Sequence, residues 1–301
     1  MISGFTRIDI ELAFSTIVIA VLTFVAYRAG HRLRIRSQQI ENIALVASVS
    51  IAFWLAWNYF GRLVWAETIT SSSVLCWSNV TPVALGLAGG MIGHARGLRQ
   101  RFRPRIAVCV MSLAVLYAAT PIARPIVFPL RIESGVKWKN GVCLQSHSAS
   151  CAPAAAVTLL KQHGINASEA RLSNVCLSSS LGTAPLGLYR GLKNVAGEHD
   201  HRAIVASGDP DQWIVTGQLP CVALVTFESI PGQALGNRLL GNRLLGNRFS
   251  GHVITVFGRT ENGDWSIGDP AVGKLTWSNE ELRQRFTGEA IYLSPLRNRI
   301  R

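Results

Sequence analysis

Apolar residues crowd the first 125 positions of this chain and thin out after them. Four runs there, at about 10–27, 42–65, 74–94 and 106–122, approach the roughly 20 apolar residues that a bilayer-spanning helix requires. Any one of them could fold as a buried core helix, but four in succession predict a transmembrane region over residues 1–125. Trp54, Trp57, Trp65 and Trp77 fall toward run ends, as interfacial aromatics do. The third run is the least regular, because Asn79, Pro82 and the stretch LGLAGGMIG interrupt it; Gly and Pro are nevertheless common in membrane helices. The first run does not read as a cleaved signal, since its positive charges (Arg28, Arg32, Arg34, Arg36) follow it rather than precede it.

From Gly135 onward the pattern changes to helical segments and then short β runs separated by turn residues. SCAPAAAVTLLKQHG (150–164) predicts a helix with Ser150 as N-cap, Pro153 in its first turn and Gly164 as its stop. NASEARLSNVCL opens a second, with Asn166 and Glu169 as a capping pair. A third starts near Thr183 and runs through Leu188 to Val195. Strands follow at CVALVTF (221–227), HVITVFG (252–258), WSIGDP (265–270) and AIYLS (290–294). Helices first and strands later predict an α+β domain with an antiparallel sheet over residues 126–301, long enough for its own core.

Length and composition agree with a two-part chain: 301 residues, 49% hydrophobic and only 16% charged. The net charge of +13 suggests a polyanionic partner until its distribution is considered. Residues 126–301 hold eighteen Lys and Arg against thirteen Asp and Glu, and no basic helix with interleaved aromatics tracks a nucleic-acid backbone. No nucleic-acid partner is expected. Much of the excess elsewhere lies in two loops, one with Arg28, Arg32, Arg34 and Arg36, the other with Arg96, Arg99, Arg101, Arg103 and Arg105; near the run ends the opposite side has only Arg7, Arg62, Arg124 and Arg131. Positive loops stay in the cytoplasm. The N-terminus and everything after about residue 125 are therefore expected outside, on a protein integral to a bilayer. The tandem repeat GNRLLGNRLLGNRF (236–249) is too short for a solenoid. It reads as an expanded surface loop or as a basic flap ahead of His252.

The chemistry concentrates in CLQSHSASCAPAAAVTLLKQHG, residues 143–164. Cys151 opens a helix, where unpaired N–H groups and the dipole favour thiolate, the nucleophilic form. A base must reach that sulfur. His31 and His94 lie on the cytoplasmic side, His163 is far along the same helix at about 1.5 Å per residue, and His199 and His201 sit in a polar loop. His252 opens a strand, and Asp269 follows in GDP after the turn ENGD (261–264), so an antiparallel pair would set Asp269 beside the imidazole. Asp264, the rival carboxylate, is at the turn tip. Gln145 is placed to donate an amide N–H to a developing oxyanion beside the Cys151 N–H. A competing reading takes Cys143, His147 and Cys151 as zinc ligands in a C-x3-H-x3-C array.

The set CLQSHSASC with its helix, GHVITVFG and WSIGDPAVGK resembles cysteine peptidase family 39, papain-like enzymes that remove double-glycine leaders from bacteriocin precursors. The resemblance covers about residues 138–295. It implies a papain-like fold, cysteine peptidase activity on a peptide or protein substrate without a cofactor, and the roles of nucleophile, base, orienter and oxyanion donor for Cys151, His252, Asp269 and Gln145. A bacterial inner membrane and a separate transporter as partner are part of that expectation. Two features depart from the family. Ala152 stands where Gly usually follows the nucleophile, and no GxxxxGK[ST] phosphate loop accompanies the domain. Ala152 leaves open a catalytically idle, peptide-binding relative, and the same triad would also serve other acyl transfers. An oxidising compartment would further favour a disulfide between Cys143 and Cys176, with Cys221 as the alternative partner of either.

Overall fold

The computed structural model describes residues 8–33, 37–58, 60–132, 135, 137–206, 208–226 and 251–296. The GNRLL repeat lies outside the described residues, as do Arg7, Arg34, Arg36 and Phe227. Contacts divide the chain into two units. The first comprises Met1–Arg62 with Ser73–Ala123, the second Leu63–Ser72 with Arg124–Arg301.

In the first unit, α1 (Ile8–Arg32), α2 (Gln38–Asn58) and α6 (Arg103–Val127) are long apolar helices, and α4 (Val74–Trp77) and α5 (Thr81–Ile92) share the third apolar run. Among the described residues, four stretches are long and apolar enough to cross a membrane: Ile10–Arg32, Gln38–Asn58, Val74–Ile92 and Arg103–Val127. Phe14, Ile17, Val46 and Leu116 point outward without protein cover, as lipid-facing side chains do. The second helix starts and ends earlier than the hydrophobic run predicts. The third is interrupted at Ser78–Val80, because Pro82 suits only the first turn of a new helix. The glycines of LGLAGGMIG serve close packing. A Cβ on Gly86 would collide with the Thr23 carbonyl and one on Gly90 with the Tyr27 carbonyl, so α5 lies directly against the backbone of α1.

The second unit holds α3 (Val64–Thr68), a hairpin of β1 (Lys137–Lys139) and β2 (Val142–Leu144), helices α7 (Cys151–Gln162), α8 (Glu169–Val175) and α9 (Pro185–Gly197), and a six-stranded antiparallel sheet. The strands are β3 (His201–Ala206), β4 (Cys221–Thr226), β5 (Gly251–Arg259), β6 (Trp265–Asp269), β7 (Gly273–Trp277) and β8 (Phe286–Pro295), in the order β3-β8-β4-β5-β6-β7. Two short helices, α10 (Gln212–Val215) and α11 (Asn279–Arg285), fill connections. The α+β class, with helices preceding an antiparallel sheet, is as expected.

Residues 152–160 of α7 are all buried. Thr255 of β5 donates its hydroxyl to the Ala155 carbonyl at 3.1 Å, and the Cys143 N–H of β2 donates to Thr158 Oγ1 at 3.0 Å. A second core joins Trp213, Trp265, Ile254, Val256 and Leu282. The cap of α8 differs from the sequence reading. Ser168, not Asn166, accepts from the Arg171 N–H, while Asn166 accepts from Lys161 Nζ at 2.8 Å. Glu169 is 2% exposed and accepts the Ser146 N–H at 3.0 Å, a role the capping pattern did not suggest.

Candidate active site

The β2–α7 connection is a tight turn closed on itself. Ser150 Oγ donates to the His147 carbonyl at 2.7 Å and accepts the His147 N–H at 3.0 Å, and His147 Nδ1 accepts the Ala149 N–H. Ser150 is fully buried, so the turn is fixed from inside. It delivers Cys151 as the first residue of α7, where helix N–H groups lack intrahelical acceptors. Cys151 is half-buried and borders a cavity of about 270 Å³. Ser148, Ala152, Ser180, Gly182, Gly251 and His252 are among its lining residues.

His252 is the second residue of β5, paired with Val225 of β4. Its Nε2 donates to Asp269 Oδ1 at 2.6 Å, and a second side-chain hydrogen bond joins the imidazole to Cys151. Asp269 ends β6 and pairs with Gly273 across the β6–β7 turn. That turn orients the carboxylate, because the Ala271 N–H donates to the same Oδ1 at 2.8 Å. It also fixes the neighbouring loop, since the Pro270 carbonyl accepts the Gln145 N–H at 2.9 Å.

The electrostatics follow from this arrangement. Burial opposes the imidazolium of His252, but hydrogen bonds to Asp269 and Cys151, together with their charges, outweigh it and push the pKa from 6.5 to about 9. Burial likewise opposes the Asp269 carboxylate, yet the bonds from His252 and the Ala271 N–H and the His252 charge hold its pKa below the usual carboxylate value. A charged imidazolium at neutral pH, touching a thiol, is the setting in which a cysteine becomes a nucleophile.

Cys151, His252 and Asp269 thus come together as their spacing suggests. Gln145 lies beside them in the same loop, but its side chain is engaged differently from expectation. Its Nε2 donates to the His147 carbonyl at 3.1 Å, and its Oε1 is buried with no hydrogen-bond partner among the described residues. His163 and His201 meet edge to face at the far end of α7 with ring centroids 5.3 Å apart, and His31 and His94 meet at a tilt in the first unit. The Asp264 carbonyl closes the β5–β6 turn against Thr260.

Two further readings of the cysteines are not found among the described residues. Among the described residues no three His, Cys, Asp or Glu side chains converge to hold a metal ion. Cys143, His147 and Cys151 therefore form no zinc site: Cys143 lies buried on β2, His147 turns into its own loop and Cys151 meets His252. The disulfide is also not formed. All six cysteines are free, and Cys143, Cys176 and Cys221 are each enclosed in separate packing, the Cys176 sulfur against Gly191. Burial pushes the Cys143 thiol up to about 12, with the Glu169 charge adding to it, and burial also takes Cys176 to about 12.

No family model matches the chain, and no curated protein matches it at a significant level. Among solved structures it is similar to the peptidase domain of Streptococcus ComA, a bifunctional ABC transporter of a quorum-sensing pathway. That match has 24% identity over 50% of this chain and 96% of that one, with a TM-score of 0.38. It is also similar to a double glycine motif protease from an AMS/PCAT transporter in complex with the leader peptide, at 18% identity over 55% and 95% of the two chains and a TM-score of 0.39. A third, the peptidase C39-like domain of a toxin secretion ATP-binding protein from Vibrio parahaemolyticus, has 13% identity over 48% and 97%, with a TM-score of 0.34.

Proposed function

We propose that the second unit is a cysteine peptidase domain, anchored in a bacterial inner membrane by the first unit and acting outside the cytoplasm on a peptide or protein substrate. The observation that carries this reading is the chain of contacts Cys151–His252–Asp269 at the edge of a cavity. Cys151 Sγ, its proton held by His252, attacks the scissile carbonyl carbon, and the carbonyl electron pair moves to oxygen. Collapse of that intermediate expels the amine, which takes the proton from the His252 imidazolium and leaves a thioester on Cys151. Water then gives a proton to neutral His252, attacks the thioester and frees the acid, and the Cys151 thiolate leaves beside the His252 imidazolium, as at the start. Asp269 keeps the imidazole oriented throughout.

For the oxyanion we assign the Cys151 N–H and the second amide N–H of Gln145, the one not given to His147. Cleavage after a Gly-Gly leader, delivered by a separate transporter, is the substrate that the motif resemblance favours. Ala152, 2% exposed at the cavity wall, is compatible with an active site because its methyl group is already accommodated there.

Treatment of the full-length protein with iodoacetamide near neutral pH, followed by peptide mass spectrometry, tests the reading. Cys151 should be alkylated well ahead of Cys143, Cys176 and Cys221, and His252→Ala should abolish the preference. Equal labelling of all four cysteines would sink the peptidase assignment, as would cleavage of a Gly-Gly peptide by a Cys151→Ala variant.

A further inference from the structure

The cavity beside Cys151 has a wall that the triad does not supply. Ser180, Leu181, Gly182 and Thr183, in the connection between α8 and α9, form it. The loop is closed internally: the Gly182 N–H donates to the Ser179 carbonyl at 2.8 Å, the Ser179 N–H returns to Gly182 at 3.1 Å, and the Ser178 and Thr183 hydroxyls lie 2.7 Å apart.

Its outer anchor is the end of α6 and the residues just after it. The Ser180 N–H donates to the Phe128 carbonyl at 2.9 Å, Pro129 and Ser179 form an antiparallel bridge, and Arg124 Nη2 donates to the Leu181 carbonyl at 2.9 Å. Arg124 is only 8% exposed. A guanidinium is costly to bury unless its N–H groups are satisfied, so this bond fixes the loop as firmly as it fixes the arginine. Leu181, by contrast, keeps 39% of its surface open beside the cavity.

We propose that Arg124 is a specificity-positioning residue. Through the Leu181 carbonyl it holds the Ser180–Thr183 wall in place, and substrate residues next to the scissile bond pack against that wall. The inference rests on the peptidase reading. Arg124 is not among the residues that line the Cys151 cavity, so its loss should weaken binding and leave the chemistry at Cys151 intact.

The test compares full-length wild type, Arg124→Ala and Arg124→Lys for alkylation of Cys151 by two reagents, followed by mass spectrometry. Iodoacetamide reports thiol reactivity alone. Acetyl-trialanyl chloromethyl ketone must first occupy the cleft before the sulfur displaces chloride. In Arg124→Ala the ketone concentration giving half-maximal inactivation should rise about tenfold, the scale of one lost hydrogen bond to a charged group. Its limiting rate and the iodoacetamide rate should both stay within about twofold. Arg124→Lys, which keeps a cationic donor, should recover most of the loss. Unchanged ketone saturation in Arg124→Ala overturns the proposal while leaving the peptidase reading standing, and so does equal slowing with both reagents, which marks general damage to the site. A wild type with no selective reactivity at Cys151 overturns the peptidase reading and this inference together.

Discussion

His252 is the residue on which the pH dependence turns. Its pKa of about 9 means that the imidazolium persists through neutrality, so peptide cleavage, in which the leaving amine takes that proton, should decline on the alkaline side near pH 9. Stability carries the same sign. The pKa is raised on folding, so the contribution of this contact is complete below the unfolded value of about 6.5 and is lost as pH rises through about 9. Replacing Asp269 by Asn removes the carboxylate that supports the imidazolium, and the alkaline limb should therefore move to lower pH. A pH profile of Gly-Gly peptide cleavage by wild type and Asp269→Asn checks this; coincident limbs would show that Asp269 does not tune His252. These three residues were legible in the sequence because each sits at an element boundary marked by turn chemistry: Ser150 before α7, Gly251 before His252 and Pro270 after Asp269. The amide of Gln145 was not legible, since its bond to the His147 carbonyl depends on a turn that Ser150 closes from a buried position. Cys143 and Cys176 suggested a bridge by count and compartment, but count and compartment do not bring two sulfurs together, and both are buried free thiols.

Among the elements, α7 and β5 were recognisable from helical and alternating apolar patterns, and the bonds between them were not. Thr255 reads as an ordinary β-branched strand residue, yet its hydroxyl ties the strand carrying His252 to the helix carrying Cys151. The β1–β2 hairpin went unread although its signal is present: Asn140 and Gly141 adopt φ of 50° and 80°, the left-handed pair that an Asn-Gly turn supplies. β3 was missed for a different reason, because it opens in the polar run HDHR. Glu169 links the elements in a way that can be measured. Its carboxylate, buried at the start of α8, accepts the Ser146 N–H in the loop between Gln145 and His147. Glu169→Ala should strand that donor and lower unfolding stability by about 1–3 kcal/mol. Glu169→Gln keeps an acceptor oxygen and should stay within about 1 kcal/mol of wild type. Thermal or denaturant unfolding of the purified protein decides; equal losses in the two variants would show that the negative charge, rather than the acceptor, is what the site uses.

At the scale of the whole chain, the segment Leu63–Ser72 constrains how the membrane is crossed. It lies between the second and third apolar runs, yet it belongs to the second unit: α3 packs beside β3, and the Leu63 N–H donates to Glu289 of β8 at 2.9 Å. A segment before the third run and a sheet after the fourth can touch only if an even number of crossings separates them. With α6 as one crossing, the interrupted run Val74–Ile92 should be the other, although it is the least apolar of the four, with a mean hydropathy of 1.3 against 2.1 for α6. This parity argument supports the third and fourth runs as a pair of spans, and the arginines then choose the side. Arg28 and Arg32 flank the first connection and Arg96, Arg99, Arg101 and Arg103 the third, so both connections should remain cytoplasmic and the second unit should lie outside. An alkaline phosphatase reporter, which becomes active only outside the cytoplasm, should therefore be active when fused after residue 125 or within 63–72 and inactive when fused within 95–102. Activity at 95–102 with silence at the other two sites would reverse the orientation while preserving the parity. Unlike outcomes at 63–72 and 125 would break the parity itself, and with it the reading of Val74–Ile92 as a span.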